Sequence, residues 1–193
     1  MNNEEKTLVL IKPDGVKRGL IGQIIARIEQ RGLKIVSLEM VWARPEQVDN
    51  HYPKSREWIE RIGQKTAENY KNYGLDLKKE LGLEDPYQIG LEVRKWLIEY
   101  MTSGPMVKAV VSGNHAIEMI RQLAGSTMPA QAQIGTIRGD FSIDDAARAN
   151  REKRAIRNII HASETPEEAA NELNLWTSAE DVFDYHLPAE EVM

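Results

Sequence analysis

The sequence contains no cysteine, which excludes disulfides and thiolate-ligated metal sites. No apolar run approaches the roughly 18 residues that a membrane-spanning helix needs. The first residues also lack the basic-then-apolar order of a secretion signal. We therefore expect a cytoplasmic protein with no membrane partner. The formal net charge of −5 argues against nucleic-acid binding through bulk positive charge, so no nucleic-acid partner is expected.

Two nucleotide-binding fingerprints are also absent. The sequence contains neither a GxGxxG pattern nor a GxxxxGK[S/T] phosphate-binding loop. The two folds that carry those patterns therefore have no support from the sequence.

What the sequence does contain is an alternation of strand and helix patterns over 193 residues, a length typical of one domain. Strand patterns cover residues 7–11, 33–42, 106–111 and 155–160. Helical patterns cover residues 20–31, 46–52, 89–100, 116–123 and 166–174. This order predicts an α/β fold, an α+β sandwich of the ferredoxin-like, split βαβ type. Helices would cover a four-stranded antiparallel sheet.

Two segments are highly charged. Residues 53–88 read as two amphipathic helices or helical turns, broken at Gly74 and Gly82, and a solvated surface insertion is the simplest interpretation. Residues 144–157 carry five basic side chains and read as a solvated helix, with a partner surface as the alternative. Residues 125–141 are rich in turn residues, and so long a connection is typical of a functional loop.

One of the four histidines, His161, follows an apolar strand pattern and precedes a helix start. Thr165 is placed to cap that helix, with proline next and Glu168 three residues after the threonine. An imidazole near free helix N–H groups suits a site that receives an anion, and neutral imidazole is a nucleophile near pH 7. A buried, hydrogen-bonded structural histidine fits the same pattern, and this part of the sequence does not choose between the two.

Several cationic and polar residues lie where loops meet predicted elements. Arginine and lysine are the side chains that surround phosphate oxygens, although each one alone is more often a surface charge. The candidates are Lys12, Arg121, Thr127, Arg138 and Asn158.

Five blocks of the sequence, in the same order, resemble nucleoside diphosphate kinases. They are residues 7–16 (TLVLIKPDGV), 100–105 (YMTSGP), 135–141 (GTIRGDF), 158–163 (NIIHAS) and 173–176 (LNLW). The resemblance implies the ferredoxin-like fold of that family. It also implies exchange of the γ-phosphate between nucleoside triphosphates, typically ATP, and nucleoside diphosphates by a ping-pong mechanism.

The resemblance also implies residue roles. His161 would become the phosphohistidine, Glu172 would orient its ring, and Ser163 would assist and contact the transferred group. Lys12 would join them in catalysis. Residues binding phosphates and sugar would be Lys12, Tyr52, Arg121, Thr127, Arg138 and Asn158. Mg²⁺ would come with the nucleotide, with Glu164 as an outer-sphere contact and no protein ligand cage. The family assembles into tetramers or hexamers, so a homo-oligomer is expected.

The chain departs from the family pattern at two positions and in two segments. Ala162 stands where the family has glycine, and Val93 stands where it stacks a phenylalanine on the base. Val93 and Leu97 would then cover the base, or an aromatic residue of the insertion such as Tyr87 would stack on it.

We expect one domain over residues 1–193, with a helical insertion at about 53–92 that caps the base and a second insertion at about 144–156. The departures leave open an alternative, a module that binds nucleotides or partners without turnover.

Overall fold

A computed structural model describes residues 4–187 of the chain. Within that range a four-stranded sheet is covered by helices. The strands are β1 (Glu4–Ile11), β2 (Lys34–Val41), β3 (Met106–Asn114) and β4 (Ile160–Ala162). The helices are α1 (Pro13–Lys17), α2 (Ile21–Gln30), α3 (Pro45–His51), α4 (Arg56–Asn72), α5 (Leu77–Leu81), α6 (Pro86–Met101), α7 (Ala116–Ala124), α8 (Ile137–Phe141), α9 (Ala146–Arg151) and α10 (Pro166–Trp176). Short 3₁₀ turns follow at Pro129–Gln131 and Ala179–Asp181.

The strand order is β2-β3-β1-β4, and every pair is antiparallel. This order, with helices between the strands, confirms the ferredoxin-like prediction. Because β1 is central, its end at Ile11 lies beside β4, where Leu10 pairs with His161. The chain that follows β1 is thus brought to the edge where the candidate histidine lies.

Alternate residues of β1 face two different apolar cores, as expected for a sheet with helices on both sides. Val9 and Ile11 pack in a cluster that includes residues of α2 and α7. Leu8 and Leu10 pack in the other, with Met101 of α6 and residues of α3 and α10. The strand therefore reads as a continuous apolar run, not as an alternation.

The fourth strand was predicted at residues 155–160, and that placement is wrong. The strand is Ile160–Ala162, so His161 lies within it and not after it. Residues 155–159 do not extend it because Ile159 adopts a left-handed φ of 69°, which breaks an extended ladder. The backbone N–H of Arg157 is bonded to the Asp144 carboxylate instead of to a neighbouring strand.

The charged segment after Pro53 is helical, as predicted, and its breaks fall at the predicted glycines. Helix α4 ends just before Gly74, and α5 ends at Gly82, which takes the left-handed conformation of a helix C-cap. Helices α4 and α6 cross closely at Gly63 and Gly90. A Cβ on Gly63 would collide with the carbonyl oxygen of Pro86, so only glycine permits this crossing.

The second charged segment is only partly the solvated helix that was predicted. Helix α9 covers six residues, and it buries Ala146, Ala149 and Asn150. Arg154 then turns back and donates to both carboxylate oxygens of buried Asp144, at 2.6 and 2.9 Å. Part of this segment thus packs inward, and its salt bridge fixes the approach to β4.

Across residues 4–187, no helix is both long and apolar enough to cross a membrane.

Candidate active site

A strained turn presents His161. The N–H of Ile160 donates to the carbonyl of Asn158 at 2.7 Å, which closes a three-residue turn around Ile159. A positive φ at a β-branched residue is sterically unfavourable, so surrounding contacts must hold it. Ile159 is fully buried, and its carbonyl accepts from the N–H of Lys12 at 2.7 Å. The turn therefore joins the end of β1 to the start of β4.

Ala162 carries no such strain. The non-glycine residues with positive φ in the described part of the chain are His115, Lys153 and Ile159. Ala162 lies in β4 opposite Val9, in a conformation that any residue adopts. Ala162 therefore gives no support to the alternative of a module that binds nucleotides without turnover.

The imidazole of His161 is held by Glu172 of α10. Its Nε2 lies 2.9 Å from Oε2 and 2.8 Å from Oε1 of the carboxylate. The hydroxyl of Ser163 donates to the same Oε2 at 2.6 Å, and Ser163 is fully buried. With Nε2 donating its proton to a carboxylate, Nδ1 keeps its lone pair. The arrangement provides a neutral imidazole with a nucleophilic nitrogen.

Burial and charge keep His161 neutral. Burial, followed by the nearby charges of Lys12 and Arg138, lowers the pKa of His161 to about 3. Burial raises the pKa of Glu172, and the neighbouring His51 and the Ser163 hydrogen bond oppose that rise. We conclude that the ring is available as a nucleophile throughout the neutral range.

Two residues that pack behind His161 and Glu172, namely His51 and Trp176, were not predicted from the sequence. The His51 ring lies edge-on to the His161 ring at 4.6 Å, and His51 Nδ1 is 3.4 Å from Glu172 Oε1. Trp176 Nε1 donates to His51 Nδ1 at 3.2 Å. Burial is the main cause that lowers the pKa of His51 to about 3, so it too is neutral. Sequence reasoning missed these contacts because α3 and α10 meet only in the folded chain.

The cationic side chains converge on the same place. Lys12 Nζ donates to Asn158 Oδ1 at 2.8 Å, and Asn158 Nδ2 donates to the Thr127 carbonyl at 3.0 Å. Buried Arg138 donates to the carbonyls of Gly125 and Ile160 at 2.6 and 2.7 Å. The structure thus brings together Lys12, Thr127, Arg138 and Asn158 around the turn before His161.

Arg121 lies at the rim of this group and pairs with Glu164 at 3.3 Å. Both side chains are largely solvent-exposed, so a phosphate can compete for the guanidinium. Glu164 is thereby close to the predicted phosphate position.

Asp14 and Tyr100 also belong to this region, although the sequence did not single them out. Asp14 accepts from the Tyr100 hydroxyl at 2.5 Å and from the N–H of Ile159 at 3.2 Å. The Lys12 ammonium lies 5.5 Å from the centre of the Tyr100 ring. Burial, followed by Arg138, lowers the pKa of Lys12 to about 7, with Asp14 acting in the opposite direction. A bound anion would therefore increase the protonated fraction of Lys12 near pH 7.

Most of these residues border one cleft of about 600 Å³, whereas Asp14, Tyr100, Ser163 and Trp176 lie outside its lining. One end, rich in cationic side chains, is lined by Lys12, Arg121, Thr127, Arg138, Asn158 and His161. The other end lies under α4 and α6 and includes Tyr52, Val93 and Leu97. The predicted alternative Tyr87 packs against Arg56 and is not among the residues lining the cleft. Trp58 lines the cleft instead, with its ring 6.1 Å from that of Tyr52.

Two places in the cleft carry side chains of the kinds that bind metal ions, and they differ in which ion they suit. Ligand atoms of His51, His161 and Glu172 lie within 4.8 Å of one another, but a hydrogen bond already joins His161 to Glu172, and His51 Nδ1 accepts from Trp176. A nitrogen-rich set of this kind does not suit Mg²⁺, which prefers oxygen ligands. Glu164, at the cleft rim, has a carboxylate that can accept hydrogen bonds from the waters of a hydrated Mg²⁺.

The comparisons with known proteins agree with this geometry. The family profile described as nucleoside diphosphate kinase matches residues 5–60 and 88–182. A nucleoside diphosphate kinase from Pyrobaculum aerophilum is 47% identical over 180 residues, which are 93% of this chain and 98% of that protein. One from Archaeoglobus fulgidus is 36% identical over 97% of this chain and 95% of its own length.

Solved structures agree as well. The crystal structure of an NDP kinase from P. aerophilum superposes with a TM-score of 0.91 at 45% identity, covering 94% of this chain and 100% of that one. A nucleoside-diphosphate kinase from Borrelia burgdorferi, a transition-state mimic with bound vanadate and ADP, gives 0.77 at 30% identity over 97% and 95% of the two chains.

The chain therefore belongs to the nucleoside diphosphate kinase family. It transfers the γ-phosphate of a nucleoside triphosphate to a nucleoside diphosphate. Residues 61–87 lie outside the profile match. The alignment with the P. aerophilum protein nevertheless spans nearly all of both chains. That relative therefore does not lack a segment of this length.

Proposed function

We propose that His161 carries the phosphoryl group in a two-step, ping-pong exchange. The observation behind this proposal is the placement of His161, whose Nε2 is held by Glu172 while Nδ1 keeps its lone pair. In the first step Nδ1 attacks the γ-phosphorus, and the bond to the oxygen bridging the β and γ phosphates breaks. The nucleoside diphosphate leaves, and an N–P bond remains.

The second step reverses the first with a different nucleotide. A terminal oxygen of the incoming diphosphate attacks the phosphorus, the N–P bond breaks, and the electron pair returns to Nδ1. The ring is cationic only while it carries the phosphoryl group, and the Glu172 carboxylate stabilises that charge. The proton on Nε2 stays in place throughout.

The surrounding side chains stabilise the charge on the transferred group. Lys12, Arg121 and Arg138 supply positive charge for the phosphate oxygens, and Thr127 and Asn158 supply hydrogen-bonding groups. Ser163 is better suited to holding Glu172 than to contacting the transferred group, because its hydroxyl is buried and already donates to that carboxylate. Tyr52, Val93 and Leu97 would contact the sugar and base.

Mg²⁺ would enter with the nucleotide, neutralise part of its phosphate charge, and be held mainly by phosphate oxygens and water. Glu164 would contact a water of that ion. The support for this role is its carboxylate at the cleft rim beside Arg121.

Incubation with ATP labelled at the γ-phosphate tests the proposal. We expect protein-bound label that is stable in alkali and labile in acid, and that His161→Ala abolishes. His115→Asn is the matched control, because His115 is exposed, lies outside the residues lining the cleft, and has a left-handed φ that asparagine tolerates. Label that survives in His161→Ala would assign the carrier elsewhere. The same experiment tests the alternative of binding without turnover, which predicts no label on intact protein.

We propose further that residues 1–193 form one domain, in which residues 53–92 and 144–156 are insertions that adjoin the cleft. Trp58 and Ile62 of α4 and Asn150 and Arg154 near α9 line it, which supports a cap over the base end. A nucleotide-bound structure without any atom of α4 near the base would contradict the cap.

We also propose a cytoplasmic homo-oligomer, a tetramer or hexamer. Support comes from three side chains that are more than half exposed: Leu38 and Met40 on the edge strand β2, and Trp42 immediately after it. Apolar side chains clustered in this way are typical of an interface. Sedimentation should give four or six times the 21.9 kDa chain mass, and a monomer would contradict the proposal.

A further inference from the structure

A row of aromatic rings leads away from His161 along the cleft. The His51 ring lies 4.6 Å from the His161 ring, and the Tyr52 ring lies 4.9 Å from the His51 ring. The Trp58 ring comes next, 6.1 Å from the Tyr52 ring. All four side chains line the same cleft. With the phosphates at the His161 end, a nucleotide that follows this row brings its base towards Trp58.

Trp58 differs from the other large aromatic side chains of the cleft because no apolar core encloses it. Trp96 is only 5% exposed and packs in a core cluster with Tyr100 and Ala155. Tyr52 packs against a second core cluster. Trp58 belongs to none of the apolar clusters that residues 4–187 form, and it is half-buried. A ligand in the cleft can therefore reach the indole.

The indole is held in a defined place by the start of α4. Ser55 is the N-cap of this helix, and its hydroxyl accepts from the backbone N–H of Trp58 at 3.3 Å. Ile62 follows four residues later on the same helix face and also lines the cleft. The close crossing at Gly63 and Gly90 fixes α4 against α6. Trp58 is thus a pre-positioned flat surface, which limits the entropy lost when a ligand binds.

The side chains that α6 contributes to this end of the cleft include Val93 and Leu97, which are aliphatic. Aliphatic side chains cover a base but do not stack on it. A base stacks on an aromatic ring because both present flat π faces, and such a stack strengthens binding by about 5- to 150-fold. Trp58 supplies the ring that these two residues of α6 lack.

We propose that Trp58 is a base-binding residue whose indole stacks on the base of the bound nucleotide. Helix α4 of the insertion then takes a direct part in substrate binding. Stacking uses the face of a base and not its edge, so all bases are accepted. A purine offers a larger face than a pyrimidine, so the cleft binds ADP more tightly than UDP. The inference rests on the proposed placement of the phosphates at His161.

Equilibrium binding tests the inference without requiring turnover. Titration calorimetry of the full chain with Mg²⁺ compares ADP, UDP and ribose 5-diphosphate, which has the same phosphates but no base. We expect ADP to bind at least about fivefold more tightly than ribose 5-diphosphate, with UDP between them. Equal affinities for ADP and ribose 5-diphosphate, or tighter binding of UDP than of ADP, would overturn the inference.

Two substitutions separate stacking from apolar cover. Trp58→Leu keeps apolar surface but removes the ring, so ADP affinity should fall by about fivefold or more. Trp58→Phe keeps a ring and should retain most of that affinity. Ribose 5-diphosphate should bind both variants as it binds the unmodified protein. Arg61→Ala is the control, because Arg61 is exposed on the same helix and does not line the cleft.

Unchanged ADP affinity in Trp58→Leu would also overturn the inference. Thermal unfolding shows whether each variant is folded, and for one that is not, the comparison of ADP with ribose 5-diphosphate in the unmodified protein decides. The phosphohistidine label reports separately on the proposed carrier. A labelled protein that binds ADP no better than ribose 5-diphosphate contradicts stacking alone. An unlabelled protein that loses ADP affinity in Trp58→Leu contradicts the carrier alone.

Discussion

His161 owes its chemistry to burial more than to its own sequence neighbours. An exposed histidine near its ordinary pKa of 6.5 would be protonated in mild acid and lose its nucleophilic lone pair. The folded chain places Lys12 and Arg138 near the ring, and the charge of each disfavours protonation of His161. In the proposed mechanism the same cations contact the phosphates, so one arrangement would serve both requirements.

We predict that His161 does not titrate between pH 8 and pH 5 in the folded protein. Its pKa is lowered to about 3, mainly by burial, so the ring stays neutral across that range. ¹⁵N NMR of the histidine side chains measures this directly, and a titration midpoint above 5.5 for His161 would contradict it. The corresponding stability effect has a definite sign. An unfolded histidine takes up its proton near pH 6.5, so the buried neutral ring reduces stability as the pH falls from there towards 3.

We predict that nucleoside diphosphate binding is coupled to proton uptake by Lys12. Above pH 7 the ammonium of the free protein is largely deprotonated, because burial lowers its pKa to about 7. A bound phosphate favours the charged form, so binding at pH 8.5 should take up about one proton and binding at pH 6 almost none. Calorimetry in buffers of different ionisation enthalpy gives that number.

Lys12→Arg is the matched control for this linkage. A guanidinium keeps its charge at every pH used, so the proton uptake at pH 8.5 should disappear. Uptake that persists in the variant would show that another group is responsible.

At the scale of elements, the proposed cap depends on the fit between α4 and α6. The two helices approach so closely at Gly63 that an added Cβ would meet the Pro86 carbonyl. Backbone atoms cannot move aside as a flexible side chain can, so the helices would have to separate. The position of Trp58, which α4 contributes to the cleft, depends on this packing.

We predict opposite effects on stability from two glycine-to-alanine changes. Gly63→Ala should lower the free energy of unfolding by about 1–3 kcal/mol through overpacking. Gly22→Ala in α2 should raise it by about 0.4–1 kcal/mol, because nothing lies within 4 Å of the added Cβ and alanine favours the helix. Denaturant unfolding of both variants decides, and equal effects would refute the close-packing account.

Most elements could be predicted because they carry their own signals. Helix α10 begins at Pro166 as its cap predicts, with the Thr165 hydroxyl accepting from the Glu168 N–H at 3.1 Å. The start of β4 could not, because the left-handed conformation of Ile159 is imposed by its tertiary contacts. An isoleucine has no local preference for that conformation.

At the scale of the whole molecule, nucleotide binding should stabilise the fold. Saturation at 100 times the dissociation constant adds about 2.7 kcal/mol. For a chain of this size that corresponds to a rise in Tm of about 5–10 °C.

We predict this rise with ADP and Mg²⁺ and a much smaller one with adenosine at the same concentration. Adenosine lacks the phosphates that Lys12, Arg121 and Arg138 would contact. Thermal unfolding followed by circular dichroism measures both shifts. An equal shift with adenosine would contradict the assignment of the cationic end of the cleft to phosphate.

The sequence by itself determined the family and the ferredoxin-like fold class, and it predicted which residues would handle phosphate. The reason is that apolar periodicity and local motifs are encoded in neighbouring positions. Only the tertiary structure decided that His51 and Trp176 pack behind Glu172, and that Trp58 and not Tyr87 lines the cleft. Those facts arise from contacts between helices distant in the chain, and sequence spacing carries no record of such distances.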